Sequence, residues 1–281
     1  RRPADDEGVD APTDEATSPA PDAIWHRFQR GPLAGNFLHE QLEWLAADGF
    51  ALGHQPALAE RLRLRCEHAG HGSDAEALVD WLQGVVQTPL PGPDVALAAL
   101  HGAQAELEFW LPAQDLQTER IDQLCQTQLL AGIERPRLQT SHLHGMLMGF
   151  CDLVFEHDGR YWVLDYKSNH LGARDSDYSA PALAAAMATH RYDVQAAIYL
   201  LALHRLLRSR LGPAYDPARQ LGGAGLCDAS PAYQIAQGLG GHALGGRRAA
   251  GVVCHVRRAD PARLAASLLP TSVAAAARTA P

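Results

Sequence analysis

Two runs of mostly apolar residues stand on either side of an Asp-Gly pair near the middle of the chain. The first run spans 149–155, with one acid inside it, and the second spans 161–164. An Asp-Gly pair between two such runs predicts a two-residue hairpin turn at Asp158 and Gly159. The middle of the chain is therefore expected to form a β-hairpin.

This turn determines which residues of the two strands face each other. His157 would face Arg160, and continuing the same register places Asp152 directly opposite Asp165. Facing residues have Cβ atoms only ~4.5–5.5 Å apart, and like charges at such positions destabilise a sheet. Two carboxylates this close must share a proton or a cation, and Mg²⁺ commonly binds one or two carboxylates. A loop longer by one residue would shift the register and remove this pairing.

The second strand ends in Asp165-Tyr166-Lys167. Side chains two residues apart in a strand share a face, so Asp165 and Lys167 point the same way and Tyr166 points the opposite way. Lys167 is the only lysine among 24 basic residues, which suggests a position where a compact ammonium is needed and a planar guanidinium is unsuitable. A carboxylate beside an ammonium at a strand end is typical of metal-dependent phosphodiester nucleases. The alternative interpretation is an exposed ion pair.

Elsewhere the apolar pattern predicts mainly helices. They are expected at 36–47, within a Leu/Ala-rich stretch over 50–105 with breaks at 70–72 and 89–93, and at 182–210 after a start at 179–181. A short strand-like run at 106–111 carries Glu106 and Glu108 on one face. We interpret this as a solvated strand face in preference to a position near a metal.

Several segments of the chain resemble a known family. Residues 149–154 followed by 161–169 are similar to the Asp…Asp-x-Lys core of the PD-(D/E)xK nuclease superfamily. More narrowly, they resemble the C-terminal nuclease domain of the exodeoxyribonuclease V beta (RecB) subunits. The similarity covers roughly 25–215. It includes the segments 30–39, 184–187, 190–195 through 199, and 203–205.

The resemblance implies roles for individual residues. His39, Asp152, Asp165 and the backbone carbonyl of Tyr166 would hold the metal, and Lys167 would act at the attacking water. The implied cofactor is Mg²⁺; a histidine ligand suggests that Mn²⁺ is tolerated, and Ca²⁺ is expected to inhibit. Without the resemblance, His39 would be interpreted as a packing or surface residue of its helix.

A second group of candidates lies on the long helical segment. Gln195 and Tyr199 are four residues apart and share a helix face, and the resemblance implies that they support the site or the nucleic-acid backbone. The alternative is a hydrogen-bonded pair with no catalytic role. The segment also carries basic residues that suit phosphate contacts or compensate the helix dipole: Arg191, Arg205, Arg208 and Arg210.

Composition divides the chain into three parts. Residues 1–22 carry −5 of the net charge of −8, are rich in proline and are expected to be a disordered acidic linker. Residues 23–220 are expected to form the nuclease domain. Residues 221–281 form a low-complexity Ala/Gly/Arg-rich tail without Phe or Trp, for which we favour a shifted reading frame over a basic binding tail.

The five cysteines are scattered, with no Cys-x-x-Cys pair, which fits a reducing cytoplasm and argues against zinc or structural disulfides. No apolar run reaches the ~18 residues of a membrane span.

We therefore expect an α/β fold with a mixed central sheet flanked by helices and a helical N-terminal part. The expected activity is Mg²⁺-dependent exodeoxyribonuclease hydrolysis of DNA phosphodiesters, with single strands fed from an unwinding motor as the expected substrate. By resemblance, the chain would be the C-terminal part of a helicase-nuclease acting in double-strand-break repair and recombination, with RecC, RecD and RecA as partners. The alternative is a catalytically silent nuclease fold that guides DNA or docks proteins.

Overall fold

The computed structural model describes residues 24–29, 31–172, 175–228 and 252–256. Its helices are α1 (Ile24–Arg27), α2 (Pro32–Ala47), α3 (Pro56–Cys66), α4 (Ala75–Gln87), α5 (Thr118–Gln128), α6 (Ala180–Thr189), α7 (Tyr192–Leu211) and α8 (Pro217–Gln220). Its strands are β1 (Pro89–Leu90), β2 (Val95–Ala96), β3 (Ala103–Gln117), β4 (His142–His157), β5 (Arg160–Lys167), β6 (Leu221–Asp228) and β7 (Val252–Val256).

Five of these strands form one mixed sheet in the order β3-β4-β5-β6-β7. β3, β4 and β5 pair antiparallel, β5 and β6 pair parallel, and β6 and β7 pair antiparallel. A parallel pair needs a long crossover connection, and α6, α7 and α8 lie on that connection. The predicted α/β fold with a mixed central sheet is confirmed.

The β4–β5 hairpin has the predicted turn. Asp158 and Gly159 both have positive φ, 51° and 72°, as a two-residue hairpin turn of type I′ requires. His157 pairs with Arg160, and the predicted register holds up to Leu153 and Leu164.

The expected pairing of Asp152 with Asp165 needs a correction, because the paired positions stop one step earlier. The Tyr166 amide donates a hydrogen bond to the Asp152 carboxylate at 2.6 Å, in place of a backbone carbonyl of β4. The two strands therefore separate at the acids, where a regular ladder would force two carboxylates together.

Helices cover both faces of the sheet. One buried cluster joins α1–α4 to Trp162, Leu164 and Tyr166, and a second joins α5 and α7 to Val163 and other sheet residues. β5 is thus buried on both faces, which explains why its sequence is a nearly continuous apolar run. The predicted helical N-terminal part forms one complete layer.

Several elements differ in extent from the sequence prediction. α2 ends at Ala47 as expected, but β3 has 15 residues, far more than the predicted 106–111. The helix expected at 182–210 is two helices, since Arg191 at the junction has a left-handed φ of 58°.

The C-terminal region also differs from the expectation. Residues 221–228, assigned to the tail, form β6 beside β5, and 252–256 form β7. The rest of the tail, 229–251 and 257–281, and the acidic segment 1–22 lie outside the described residues. Within the described part of the chain, no helix is long and apolar enough to cross a membrane.

Candidate active site

Asp165 lies near the end of β5 with its side chain buried on the face covered by α7. Its Oδ1 accepts a hydrogen bond from Gln195 Nε2 at 2.9 Å and one from the Tyr199 hydroxyl at 3.3 Å. Gln195 Nε2 also donates to the Tyr199 hydroxyl oxygen at 2.7 Å. The helix spacing predicted from sequence thus places both α7 side chains on the same carboxylate oxygen. Burial and the Asp165 charge raise the pKa of Tyr199, so its hydroxyl stays a donor.

Lys167 forms an ion pair with the other oxygen of Asp165, as expected for side chains that share a strand face. The lysine side chain is 17% exposed, while that of Asp165 is only 3% exposed. The ammonium is therefore placed at the edge of the site, between a buried carboxylate and solvent. This position suits an interaction with a phosphate group that approaches from outside.

Asp152 lies on β4 at the point where β4 and β5 separate, and its carboxylate receives the Tyr166 amide described above. Burial and the neighbouring Asp165 carboxylate raise the pKa of Asp152 to about 6, although the Tyr166 amide, His39 and Lys167 act in the opposite direction. The two acids therefore repel each other across the gap between the strands, which is the electrostatic condition that a cation relieves.

His39 reaches this gap from α2. Its Nε2 lies 2.7 Å from the Tyr166 carbonyl oxygen, and its Nδ1 lies 3.5 Å from Asp152 Oδ2. Because a carbonyl can only accept, Nε2 carries the proton in this contact. Gly35, one turn earlier on α2, lets the helix approach the end of β5: a Cβ there would lie 2.7 Å from Ser168 Oγ.

The donor atoms at this gap fit a hard divalent cation. Carboxylates of Asp152 and Asp165, the Tyr166 carbonyl and the His39 imidazole are oxygen and nitrogen ligands of the kinds that Mg²⁺ and Mn²⁺ accept. Among the described residues, no three His, Cys, Asp or Glu side chains already converge on one point. A ligand set here could include the Tyr166 carbonyl, which at present accepts the His39 hydrogen bond.

A second layer of residues positions Tyr199, and sequence reasoning missed it. The Phe109 ring packs edge-on against the Tyr199 ring, with centroids 5.7 Å apart. Phe109 pairs with Gly149 across the β3–β4 ladder, and a Cβ at Gly149 would lie only 2.7 Å from the Phe109 ring. The glycine thus makes room for the ring. The sequence feature that could have indicated this packing is the glycine three residues before Asp152.

The structure places Arg191 apart from this cluster. Its guanidinium pairs with Asp122 at 2.7 Å and Asp193 at 3.1 Å, and Arg135 pairs with Asp193 from the other side. The Arg135 and Asp193 side chains are only 1% and 0% exposed. Arg191 therefore helps to fix the start of α7, and its charge is already engaged by carboxylates rather than offered to phosphate.

The other charged candidates lie at the margins. Arg208 and Arg210 are in the last turn of α7, at least nine residues beyond Tyr199 and hence more than ~13 Å along the helix. Glu106 is exposed and lies between Ala105 and Leu107, whose partners on β4, Leu153 and Cys151, flank Asp152. Burial and Glu43 raise the pKa of Glu106, whereas His39 lowers it. Glu106 thus lies closer to the site than the sequence interpretation had it.

Comparison with known proteins agrees with this geometry. Residues 20–229 match the PD-(D/E)XK nuclease superfamily. The RecBCD enzyme subunit RecB of Escherichia coli (strain K12) is 42% identical over 204 residues, which cover 70% of this chain and 16% of that subunit. RecB of Haemophilus influenzae is 40% identical over 154 residues, 53% of this chain and 12% of the relative. RecB of Mycolicibacterium smegmatis is 31% identical over 257 residues, 80% and 23% respectively. The chain spans less than a quarter of the length of these relatives.

Proposed function

The chain belongs to the PD-(D/E)XK nuclease superfamily, and we propose that it hydrolyses DNA phosphodiester bonds with the help of a divalent cation, Mg²⁺ in the first place. The observation that supports this most strongly is the pair of acids at the separation of β4 and β5. Asp165 contributes to raising the pKa of Asp152 to about 6. Lys167, the only lysine of the chain, forms an ion pair with Asp165. A carboxyl group whose pKa is raised by burial and a neighbouring acid is characteristic of functional sites.

In this proposal each residue has a defined task. Asp152, Asp165, the Tyr166 carbonyl and His39 would hold the cation, which when bound activates water and neutralises charge on the reacting phosphate. Gln195 and Tyr199 keep Asp165 in one orientation by donating to Oδ1, which leaves its Oδ2 directed towards the site. Lys167 stabilises negative charge on the attacking water or the phosphoryl oxygens through its ammonium.

The substrate we propose is single-stranded DNA. Four large apolar side chains lie exposed on neighbouring strands: Trp110 (55%), Met146 (54%), Met148 (56%) and Phe150 (44%). Leu147 and Cys151, four residues apart on β4, both pack with the α5 and α7 cluster. Because neighbouring side chains of a strand point to opposite faces, Phe150 points away from that cluster. Phe150 is two residues from Asp152, and Trp110 pairs with Met148. Exposed aromatic rings beside a cleavage site suit stacking by unpaired bases.

The catalytic proposal is tested with Asp165→Asn and Lys167→Arg. Both variants should lose at least roughly a hundredfold in the rate of Mg²⁺-dependent degradation of single-stranded DNA. Asp165→Asn removes the charge of the carboxylate, and in Lys167→Arg a planar guanidinium cannot replace the compact ammonium. Gel assays with labelled oligonucleotides, alongside unchanged circular dichroism, provide the measurement. Unaltered degradation by both variants would refute the proposal and favour the alternative of a silent docking or DNA-guiding module.

The substrate proposal is tested with Trp110→Ala and Phe150→Ala. Each should raise KM for single-stranded DNA by roughly tenfold, from the loss of about 1–3 kcal/mol of stacking, and leave kcat nearly unchanged. Leu33→Ala is the matched control, because Leu33 is 84% exposed on α2. Equal KM values for all three variants would exclude Trp110 and Phe150 from substrate binding.

Metal preference and partners complete the proposal. Mn²⁺ should replace Mg²⁺ because a histidine is among the proposed ligands, and Ca²⁺ should inhibit by occupying the site without supporting hydrolysis.

Because the relatives are subunits of the RecBCD enzyme, we propose that the chain assembles with RecC- and RecD-type subunits and that a helicase delivers the strand. We also propose a role in double-strand-break repair and recombination, and contact with RecA. We propose a cytoplasmic location, which the free buried thiols Cys66, Cys125 and Cys151 support.

A further inference from the structure

We propose that Tyr192, the first residue of α7, is a positioning residue for Lys167. The lysine Nζ lies 4.7 Å from the centroid of the Tyr192 ring while it also contacts Asp165 Oδ2. An ammonium over an aromatic face is attracted by the ring quadrupole. Lys167 is thus held between two groups, one on its own strand and one on the helix that also supports Asp165.

A lysine side chain needs such a second contact to hold one position. Its four-carbon stem is flexible, and a single ion pair leaves the ammonium free to rotate about the carboxylate. The Tyr192 ring limits that freedom and keeps Nζ at the edge of the site, where the side chain is only 17% exposed. Catalytic groups must be held close to their productive geometry, and small displacements reduce rate strongly.

The Tyr192 ring is itself fixed on several sides. Its hydroxyl donates to Asn169 Oδ1 at 3.1 Å, two residues beyond Lys167 in the chain. The His190 imidazole stacks on the ring with centroids 5.4 Å apart and planes inclined by 20°. Arg191, which lies between His190 and Tyr192, forms ion pairs with Asp122 and Asp193. Tyr192 therefore links the start of α7 to the lysine and to the loop after β5.

The inference rests on the proposed role of Lys167 in cleavage, but the contact can be measured without any cleavage. Because Lys167 is the only lysine in the chain, biosynthetic ¹³C-lysine labelling gives one set of side-chain resonances. In the wild-type chain the ε-methylene protons should be shifted upfield by the ring and show nuclear Overhauser contacts to Tyr192. Absence of both effects in the wild type would overturn the proposal, whatever any variant does.

Two substitutions separate the ring from its hydroxyl. Tyr192→Phe keeps the ring and should retain the upfield shift and kcat within about twofold. Tyr192→Leu removes the ring, and should move the ε-methylene signal downfield and lower kcat roughly ten- to a hundredfold with KM unchanged. Equal losses in the two variants would contradict the proposal, because the hydroxyl would then be the important group.

Tyr215→Leu is the matched control, since Tyr215 packs against the same buried cluster but its hydroxyl contacts His204. It should leave the lysine resonances and kcat unchanged. A drop in kcat as large as that of Tyr192→Leu would indicate general loosening of the cluster and would refute a specific positioning role. A ring-shifted lysine in a wild-type chain that cleaves no DNA would support the contact and refute the nuclease proposal.

Discussion

Asp152 combines opposing interactions on one carboxylate. Burial and Asp165 disfavour its charge, whereas the Tyr166 amide, His39 and Lys167 favour it, and the balance raises its pKa from 3.8 to about 6. The Tyr166 amide donates to Asp152 at the position where the pairing of β4 with β5 ends. At the scale of single residues, the proximity of Asp165 and burial disfavour the Asp152 charge, which is the condition that the proposed cation would relieve.

This pKa predicts how metal-free stability depends on pH. Since the folded pKa lies above the unfolded one, the folded state binds more protons between about pH 4 and pH 6, and stability falls as pH rises through that window. Asp152→Asn should remove the effect, which is worth up to roughly 3 kcal/mol. The variant should therefore melt higher than the wild type at neutral pH and similarly near pH 4.

Thermal melting with a metal chelator measures this difference. Adding Mn²⁺ at neutral pH should raise the melting temperature of the wild type but not of Asp152→Asn, because ligand binding to the folded state stabilises it. If the difference between the two proteins were independent of pH, the acid pair would not be the source of the effect.

At the scale of elements, α7 organises the site. Its first turns present Tyr192 to Lys167, Asp193 to Arg135 and Gln195 to Asp165, and Tyr199 follows one turn later. The left-handed Arg191 separates α6 from α7 and lets α7 begin at the correct position. The buried Arg135–Asp193 pair anchors this start, and loss of Asp193 would take the paired carboxylate away from the buried Arg135 charge.

The support of Asp165 by α7 predicts graded effects. If Asp165 is a metal ligand as proposed, Gln195→Ala should weaken Mn²⁺ binding by roughly ten- to a hundredfold, the usual cost of losing a hydrogen bond to such a ligand. Tyr199→Phe should cost less, because its hydroxyl is 3.3 Å from Asp165 and Gln195 remains at 2.9 Å. Calorimetric titration with Mn²⁺ gives both affinities. A larger loss for Tyr199→Phe than for Gln195→Ala would reverse the assigned order of importance.

At the scale of the whole molecule, the sheet continues past the domain boundary expected at residue 220. β6 lies parallel to β5, and its Gly222 leaves space for Trp162, since a Cβ there would lie 2.4 Å from that ring. Leu221 and Ala224 belong to the buried cluster under α7. β5 therefore has a strand on each side, which keeps Asp165 and Lys167 away from any sheet edge.

This architecture predicts different outcomes for two truncations. Ending the chain after Gln220 removes β6, exposes one side of β5 and should abolish cooperative unfolding together with metal binding. Removing residues 1–22, which the sequence predicts to be a disordered linker, should change neither. Denaturant unfolding followed by tryptophan fluorescence compares the two proteins, and a cooperative transition in the first would mean that β6 is dispensable.

The sequence alone determined the features that depend on local periodicity and turn chemistry. Asp158-Gly159 set the hairpin register, the two-residue strand repeat put Asp165 and Lys167 on one face, and the helix repeat aligned Gln195 with Tyr199. Each of these follows from backbone geometry within a few residues.

Only the tertiary structure decided which distant groups meet. It brought His39 to the Tyr166 carbonyl across 127 positions, placed Tyr192 on Lys167, and engaged Arg191 with two acids. It also recruited the glycine-rich β6, whose small residues give little hydrophobic signal yet fit against Trp162. Such contacts depend on how layers pack together, and no periodicity along the chain records that.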